Sequence, residues 1–325
     1  MIKLEHVVLA SPEQMEFIIE GMRNPMNSWE KSDSGVCLKT LPCHSCNENR
    51  NDCKKNMDSG FVIGENDHSL MKSLSDAGTD HRKYMRMMPV YVRIKAPLYW
   101  WKEFDTYKVG TVANSCSTMH KIQEKEFTME DFSTENLVSG WPEILKDGTV
   151  VSIPGPHEKL ESTIELLNMV REVYLYISKT PKEEIDYSKN PCLTPKEAWW
   201  QMIQLLPSSY NQTRNVMLNY EVLTNIYHAR KNHKLDEWRK FCGWIESLPY
   251  SKLITGEIFK VGDKVKYVHK GSIYYGKEGH IVEIEPEKIA RVQIPIQLTS
   301  GDGFTTIPCY FDNLKHVENK EEYYE

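Results

Sequence analysis

Two periodicities mark the middle of the chain. Val90, Val92 and Ile94 alternate with Tyr91, Arg93 and Lys95, a period of two that predicts a strand. Pro97 follows where a helix takes its first residue, with fixed φ and no N–H to lose. LYWWKEFDTYKV then runs at helical spacing, with Leu98, Trp101 and Phe104 plus Asp105 on one side, and Gly110 marks the stop. Polar NSCST, Asn114 to Thr118, is expected to form a loop or a new helix start, rich in groups that can meet a phosphate or a base.

The same patterns extend both ways. IKLEHVV (2–8) reads as a strand, and SPEQMEFIIEGMR as a helix with Ser11 as cap, Pro12 inside it and Met15, Ile18, Ile19 and Met22 as its apolar stripe. Residues 24–60 are polar and are expected to be a loop insertion. A short helix over 68–78 leads to the central strand. Beyond His120, TMEDFSTENLVSGWPEIL reads as helical in pieces, and DGTVVSIPGPHEK as turn-rich. A long amphipathic helix is predicted over 159–179. Another follows in TPKEAWWQMIQLLP, with Thr194 as cap, Pro195 just inside and Glu197 three residues on. RNVMLNYEVLTNIYHARKN and KLDEWRKFCGWIESL continue the helical half.

From about Gly256 the character changes. FKVGDKVKYVHK, GKEGHIVEIE, IARVQIPIQL, GFTTIPCYF and DNLKHVE are short β-rich runs parted by Gly, Pro and Asp. Five strands in this space, with Val-Gly-Asp-Lys-Val and Gly-Lys-Glu-Gly-His-Ile-Val, resemble an SH3-like barrel of KOW-type modules. The expected division is 1–254 and 255–325. Lys264, Lys266, His269 and Lys270 give the barrel a basic stretch for nucleic acid, against a protein–protein role.

Composition narrows the class. The 325 residues suit about two domains, 40% hydrophobic and 26% charged, with net charge -6. That excludes a highly basic nucleic-acid coat, though not a local basic patch. No apolar run nears the ~20 residues of a membrane span, and no signal peptide is expected at the start, so a cytoplasmic protein is expected. Four of the eight cysteines crowd together as Cys37, Cys43, Cys46 and Cys53. Cys-x2-Cys within this run is a spacing that chelates one ion, so a zinc knot is set against a loop of reduced thiols. Tyr99, Trp100, Trp101, Trp199 and Trp200 invite base stacking, but aromatic residues on helices more often form core.

One family brings several of these features together. Ala96-Pro97, then eight residues, then Thr106-Tyr107-Lys108, then Asn114 and Ser117, resembles the signature of flavin-dependent thymidylate synthase, which has Arg-His-Arg at the triplet and Asn-x-x-Ser-x-Arg-Tyr after it. Leu206-Pro207, Asn219 and Arg230 resemble its later block, and His81 a family histidine beside the flavin. The likeness touches residues 1–250 in order. It implies an α+β fold, FAD, a homotetramer with shared sites, and transfer of a one-carbon unit from a reduced folate to a pyrimidine deoxynucleotide, dUMP or a relative such as dCMP.

It also implies roles. Arg230 and Ser117 would act on the base; His81, Tyr107, Lys108, Asn114 and Asn219 would hold the flavin; Lys102, Glu103, Ser117 and Arg230 would hold the nucleotide. The pattern departs in its charges. Thr106 and Met119 replace arginines, Lys108 is a weaker phosphate ligand than arginine, and Glu221 reverses a charge. Each lost charge-assisted bond is worth ~1.5–3 kcal/mol. Lys102, Arg82, Arg86 and Arg93 are the candidate replacements. The alternative is a diverged, non-enzymatic relative that binds nucleotide, nucleic acid or a protein partner.

Overall fold

The computed structural model describes residues 2–36, 61–186, 188, 194–256, 261–269, 271–285, 289–298 and 301–317. The four clustered cysteines fall outside them. In chain order the elements are β1 (Lys3–Leu9), α1 (Pro12–Arg23), β2 (Gly35–Val36), β3 (Phe61–Val62), α2 (Glu65–Asp76), β4 (Pro89–Pro97), α3 (Leu98–Phe104), β5 (Val112–Ser115), β6 (Trp141–Ile144), β7 (Val150–Ile153), α4 (Pro156–Lys179), α5 (Pro195–Leu205), β8 (Asn211–Asn219), α6 (Tyr220–Arg230), α7 (Asp236–Glu246), α8 (Lys252–Thr255), β9 (Lys264–Tyr267), β10 (Glu278–Glu285), β11 (Ile289–Leu298), β12 (Gly301–Tyr310) and β13 (Leu314–His316). They form two compact units, Met1–Met22 with Arg82–Trp244, and Arg23–His81 with Ile245–Glu325. No helix among the described residues is long and apolar enough to cross a membrane.

The first unit is built on an antiparallel sheet in the order β1-β4-β8-β5. β4 and β8 pair along their full length, from Pro89↔Asn219 to Pro97↔Asn211. Val90, Val92, Ile94 and Ala96 fill its buried face with Val216 and Leu218 of β8. β1 keeps its alternation only through a bulge between Glu5 and Val8, where His6 takes φ of 50°. Helix α1 starts as the sequence predicts: the Gln14 amide donates to Ser11 Oγ at 3.3 Å and the Ser11 amide to Gln14 Oε1 at 2.8 Å. Helix α5 is capped in the same way, the Glu197 amide donating to Thr194 Oγ1 at 3.3 Å.

Three local expectations are corrected. RNVMLN is strand β8, not helix, because Val216 and Leu218 point to one face while Asn215 and Met217 point to the other. NSCST is neither loop nor helix start at its beginning: Asn114 and Ser115 lie in β5, paired with Asn215 and Arg214. WPEI and VVSI form the hairpin β6–β7, turned at Gly148 with φ of 84°.

A nest of aromatic rings fastens α3 to α7. Trp100, Trp101, Phe104, Trp238 and Phe241 are all at most 1% exposed, and the Trp100 and Trp238 centroids lie 4.7 Å apart. Each such ring buries on the order of 150–250 Å², worth up to about 4–6 kcal/mol. These aromatics are core, as helical aromatics usually are.

In the second unit, α2 is tied to the segment before β2 through buried Asp67. Its carboxylate accepts from Arg23 Nε at 2.6 Å, from the hydroxyls of Ser32 and Ser34, and from the Asp33 and Ser34 amides. β2 pairs with β3, Val36 opposite Phe61.

The C-terminal strands occur where the sequence places them, in the order β12-β11-β10-β9-β13. The SH3-like barrel is corrected: among the described residues this is an open five-stranded sheet. β13 pairs with β9 and β12 pairs with β11, so no ladder joins β12 to β13 to close it. One face is core, with Val265, Ile281, Val292, Ile294 and Leu314 at 1% exposure. Pro295 in the inner strand β11 lies past its last β10 pairing, Gln293↔His280, so its missing N–H loses no ladder bond.

Candidate functional site

A polar cluster forms where α3, the turn after it, α6 and α7 meet. Helix α3 puts Tyr99 and Glu103, four residues apart, on the side facing α7. It stops at Phe104, sooner than the predicted helix, and Thr106 Oγ1 donates to the Glu103 carbonyl at 2.7 Å. The chain then turns so that Tyr107 faces the last residue of α6, Arg230. Gly110, at φ of 77°, completes the turn against Asn219; a Cβ there would lie 2.8 Å from Asn219 Nδ2. Asn219 caps α6, its Oδ1 accepting from the Val222 amide at 2.9 Å, and its Nδ2 lies 3.5 Å from the Gly110 carbonyl.

Arg230 is gripped from several sides. Its Nη1 is 2.9 Å from Glu103 Oε2, and its Nε donates to the Tyr107 hydroxyl at 3.0 Å. Its guanidinium lies 5.0 Å from the Trp238 ring centroid and 5.8 Å from that of Tyr107, within cation–π range. Glu103 Oε2 also accepts from Trp238 Nε1 at 2.8 Å. His233 Nε2 stands 3.5 Å from that oxygen, while His233 Nδ1 accepts from the Leu235 amide at 3.2 Å. That amide assigns the proton of neutral His233 to Nε2. The carboxylate therefore accepts from Trp238 and pairs with Arg230, with His233 Nε2 at 3.5 Å, and the Tyr107 hydroxyl, which accepts from Arg230, keeps its hydrogen for an outside acceptor.

Of the residues chosen from sequence, Arg230, Glu103 and Tyr107 come together, with Asn219 fixing the adjoining turn. Lys102 and Lys108 are exposed on α3 and on the turn. Asn114 lies on β5 opposite Asn215, and Ser117 Oγ accepts from the His120 amide at 3.0 Å. Among the described residues neither bonds to the Arg230 cluster. His81 is exposed in the second unit, its amide donating to the Gly78 carbonyl at 3.0 Å. Cys37, Cys43, Cys46 and Cys53 lie outside the described residues, and among the described ones no group of three or more His, Cys, Asp or Glu is arranged to hold a metal.

One departure from the pattern has an internal use: Glu221 is paired with Arg82 at 2.7 Å, so its charge is matched. At Met119 it is the backbone carbonyl, not the exposed side chain, that accepts from Trp199 Nε1 at 2.6 Å. Sequence reasoning missed Trp238 and His233, the first in the opening turn of α7 and the second just before that helix. It also missed Arg214, which lies in β8 where a helix was expected. Arg214 stacks 4.2 Å from the Trp101 ring centroid and reaches Asp105 Oδ1 at 2.7 Å.

Beside the cluster, a cavity of about 270 Å³ is lined by Tyr99, Ser133, Asn136, Pro207, Ser208 and Ser209 among others. The Tyr99 hydroxyl donates to the Glu237 carboxylate. Burial first, then that hydrogen bond and its negative charge, raise the Tyr99 hydroxyl well above the usual tyrosine value.

The chain has similar solved structures. One is the flavin-dependent thymidylate synthase ThyX of Helicobacter pylori, complexed with FAD and dUMP: 14% identity, 78% of this chain and 95% of that one, TM-score 0.43. Another is the UMP/dUMP methylase PolB of Streptomyces cacaoi, bound with 5-Br dUMP: 12% identity, 78% and 94% covered, TM-score 0.42. No protein-family model and no curated protein sequence matches the chain. Likeness at this level assigns no residue a role; the side chains of this protein carry the reading that follows.

Proposed function

We propose that the first unit is a pyrimidine-nucleotide unit of the flavin-dependent thymidylate synthase type. In this reading it transfers a one-carbon unit from a reduced folate to dUMP or a relative, in a homotetramer. The observation that carries it is the meeting of Arg230 with Tyr107 and Glu103, residues singled out by the order of motifs along the chain and lying on two stretches far apart in it. Together they offer what a pyrimidine ring needs: a planar cation, a hydroxyl donor and a carboxylate acceptor, beside the Trp238 ring.

FAD fits the donor set in one respect. Lys102 and Lys108 are exposed and form no ion pair among the described residues, so two cations stand ready for a diphosphate. When bound, the flavin supplies the electrons that reduce the transferred carbon. The protein's own work is to orient the ring with Arg230, to hold Arg230 with Glu103 and Trp238, and to donate from Tyr107.

A second reading has its own support. Glu103 pairs with Nη1 of Arg230, and Glu221 is matched by Arg82, so these charges are already spent within the fold. A diverged relative that binds a nucleotide without turnover fits that economy. Calorimetric titration of dUMP, the visible spectrum of the purified protein and rescue of a thymidine auxotroph separate the two. Catalysis requires dUMP binding weakened at least tenfold in Arg230→Ala, about one flavin per chain, and rescue. Binding without flavin or rescue selects the second reading; no dUMP binding at 1 mM, about -4 kcal/mol, ends both.

A further inference from the structure

The open face of the first unit's sheet carries a pattern that the Arg230 cluster does not use. Register sets Val8, Tyr91, Met217 and Val112 in one row across all four strands. Glu5, Arg93, Asn215 and Asn114 form the next row, and Lys3, Lys95 and Thr213 the third. Directly opposed residues share a face. This one is open, with Val8 47%, Tyr91 46% and Val112 61% exposed.

Lys3 and Lys95 stand directly opposite each other, an arrangement that costs stability. Among the described residues neither forms an ion pair; Lys95 Nζ reaches only the Glu130 carbonyl, at 3.5 Å. An anion between them converts repulsion into attraction. Arg93 adds a third cation, opposite the carboxylate of Glu5.

A second copy is a poor occupant. Four strands ~4.8 Å apart and three rows ~7 Å apart cover about 400 Å², half of what each partner of a stable pair buries. It would also bring two lysine pairs onto one interface. Single-stranded nucleic acid matches the order of the rows. A phosphate sits at the lysines, base edges meet Asn114 and Asn215, and a base stacks on Tyr91. Lys95 and Tyr91 are about 13 Å apart along β4, within the reach of a short oligonucleotide.

We propose that the open face of the β1-β4-β8-β5 sheet binds single-stranded nucleic acid, with Lys3, Lys95 and Arg93 on phosphates and Tyr91 under a base. This site is separate from the Arg230 cluster and stands or falls without it. Filter binding of the full chain to a short labelled oligothymidylate, at about 50 and about 200 mM salt, tests it. Retention is expected, stronger than for a duplex of the same length. Tyr91→Ala weakens it about tenfold, and Lys95→Gln lowers the logarithmic salt slope by about 0.7. Lys252→Gln, in the second unit, leaves it unchanged. No retention, or equal retention by wild type, Tyr91→Ala and Lys95→Gln, overturns the proposal. So does sedimentation showing that Tyr91→Ala lowers the mass of an assembly while oligonucleotide retention stays the same, since the face would then be covered by another copy.

Discussion

Trp100 and Trp101 are neighbours in sequence, equally buried and unequally satisfied. Trp101 Nε1 donates to the Gln212 carbonyl at 3.0 Å, whereas Trp100 Nε1 is buried with no acceptor. An orphaned donor carries its desolvation cost with no return, on the order of 1–3 kcal/mol. Trp100→Phe is therefore expected to destabilise less than Trp101→Phe, by about 1–2 kcal/mol in urea unfolding. Cysteines divide in the same way. Cys116 is exposed, while burial lifts the Cys309 thiol to about 11. Iodoacetamide at neutral pH, followed by peptide mapping, should label Cys116 and leave Cys309 intact in the folded protein. The candidate site was half legible at this scale. Arg230, Tyr107 and Glu103 belong to runs with motif spacing, so sequence order exposed them. Trp238 and His233 did not, because a tryptophan on a helix and a histidine in a polar turn have nothing in their spacing that separates ligand from filler.

At the scale of elements, caps and turns decide where the site residues arrive. Asn219 ends β8 and starts α6, and it also braces the Gly110 turn that delivers Tyr107. Asn219→Ala removes a cap worth about 1 kcal/mol and loosens that turn, so stability should fall by roughly 1–2 kcal/mol in thermal unfolding. Gly110→Ala should lose stability by a different route, since its left-handed backbone and the nearby Asn219 amide both oppose a methyl group. Helices α1 and α5 were readable because Ser11, Pro12, Thr194, Pro195 and Glu197 are local signals. Strand β8 was not, since RNVMLN shows little alternation of apolar and polar residues and passes straight into a true helix. Its pairing to β4 on one side and β5 on the other makes it a strand. The last five strands were legible in their boundaries but not in their closure, because which edges meet is not written in a period of two.

The whole molecule is two units, each with its own buried polar logic. In the second, burial by itself would raise the Asp67 carboxyl, but the hydroxyls of Ser34 and Ser32 and the hydrogen bond and charge of Arg23 outweigh it and hold it below the ordinary carboxylate range. A lowered folded value means that this stability is present above the unfolded carboxylate value of about 4 and drains away as pH falls through the folded one. Thermal unfolding followed from neutral to acid pH should show that loss in the wild type and a flatter acid limb in Asp67→Asn. That variant should also be about 3–5 kcal/mol weaker at neutral pH, with the Arg23 charge left buried and alone. The pairing of β2 with β3 has another consequence. Val36 and Phe61 face each other, so the chain departs and returns at a single doorway. A short turn joining Val36 to Phe61 would close that pair at about 1 kcal/mol less closure entropy than the longer connection, and the strands on either side would need no new partner.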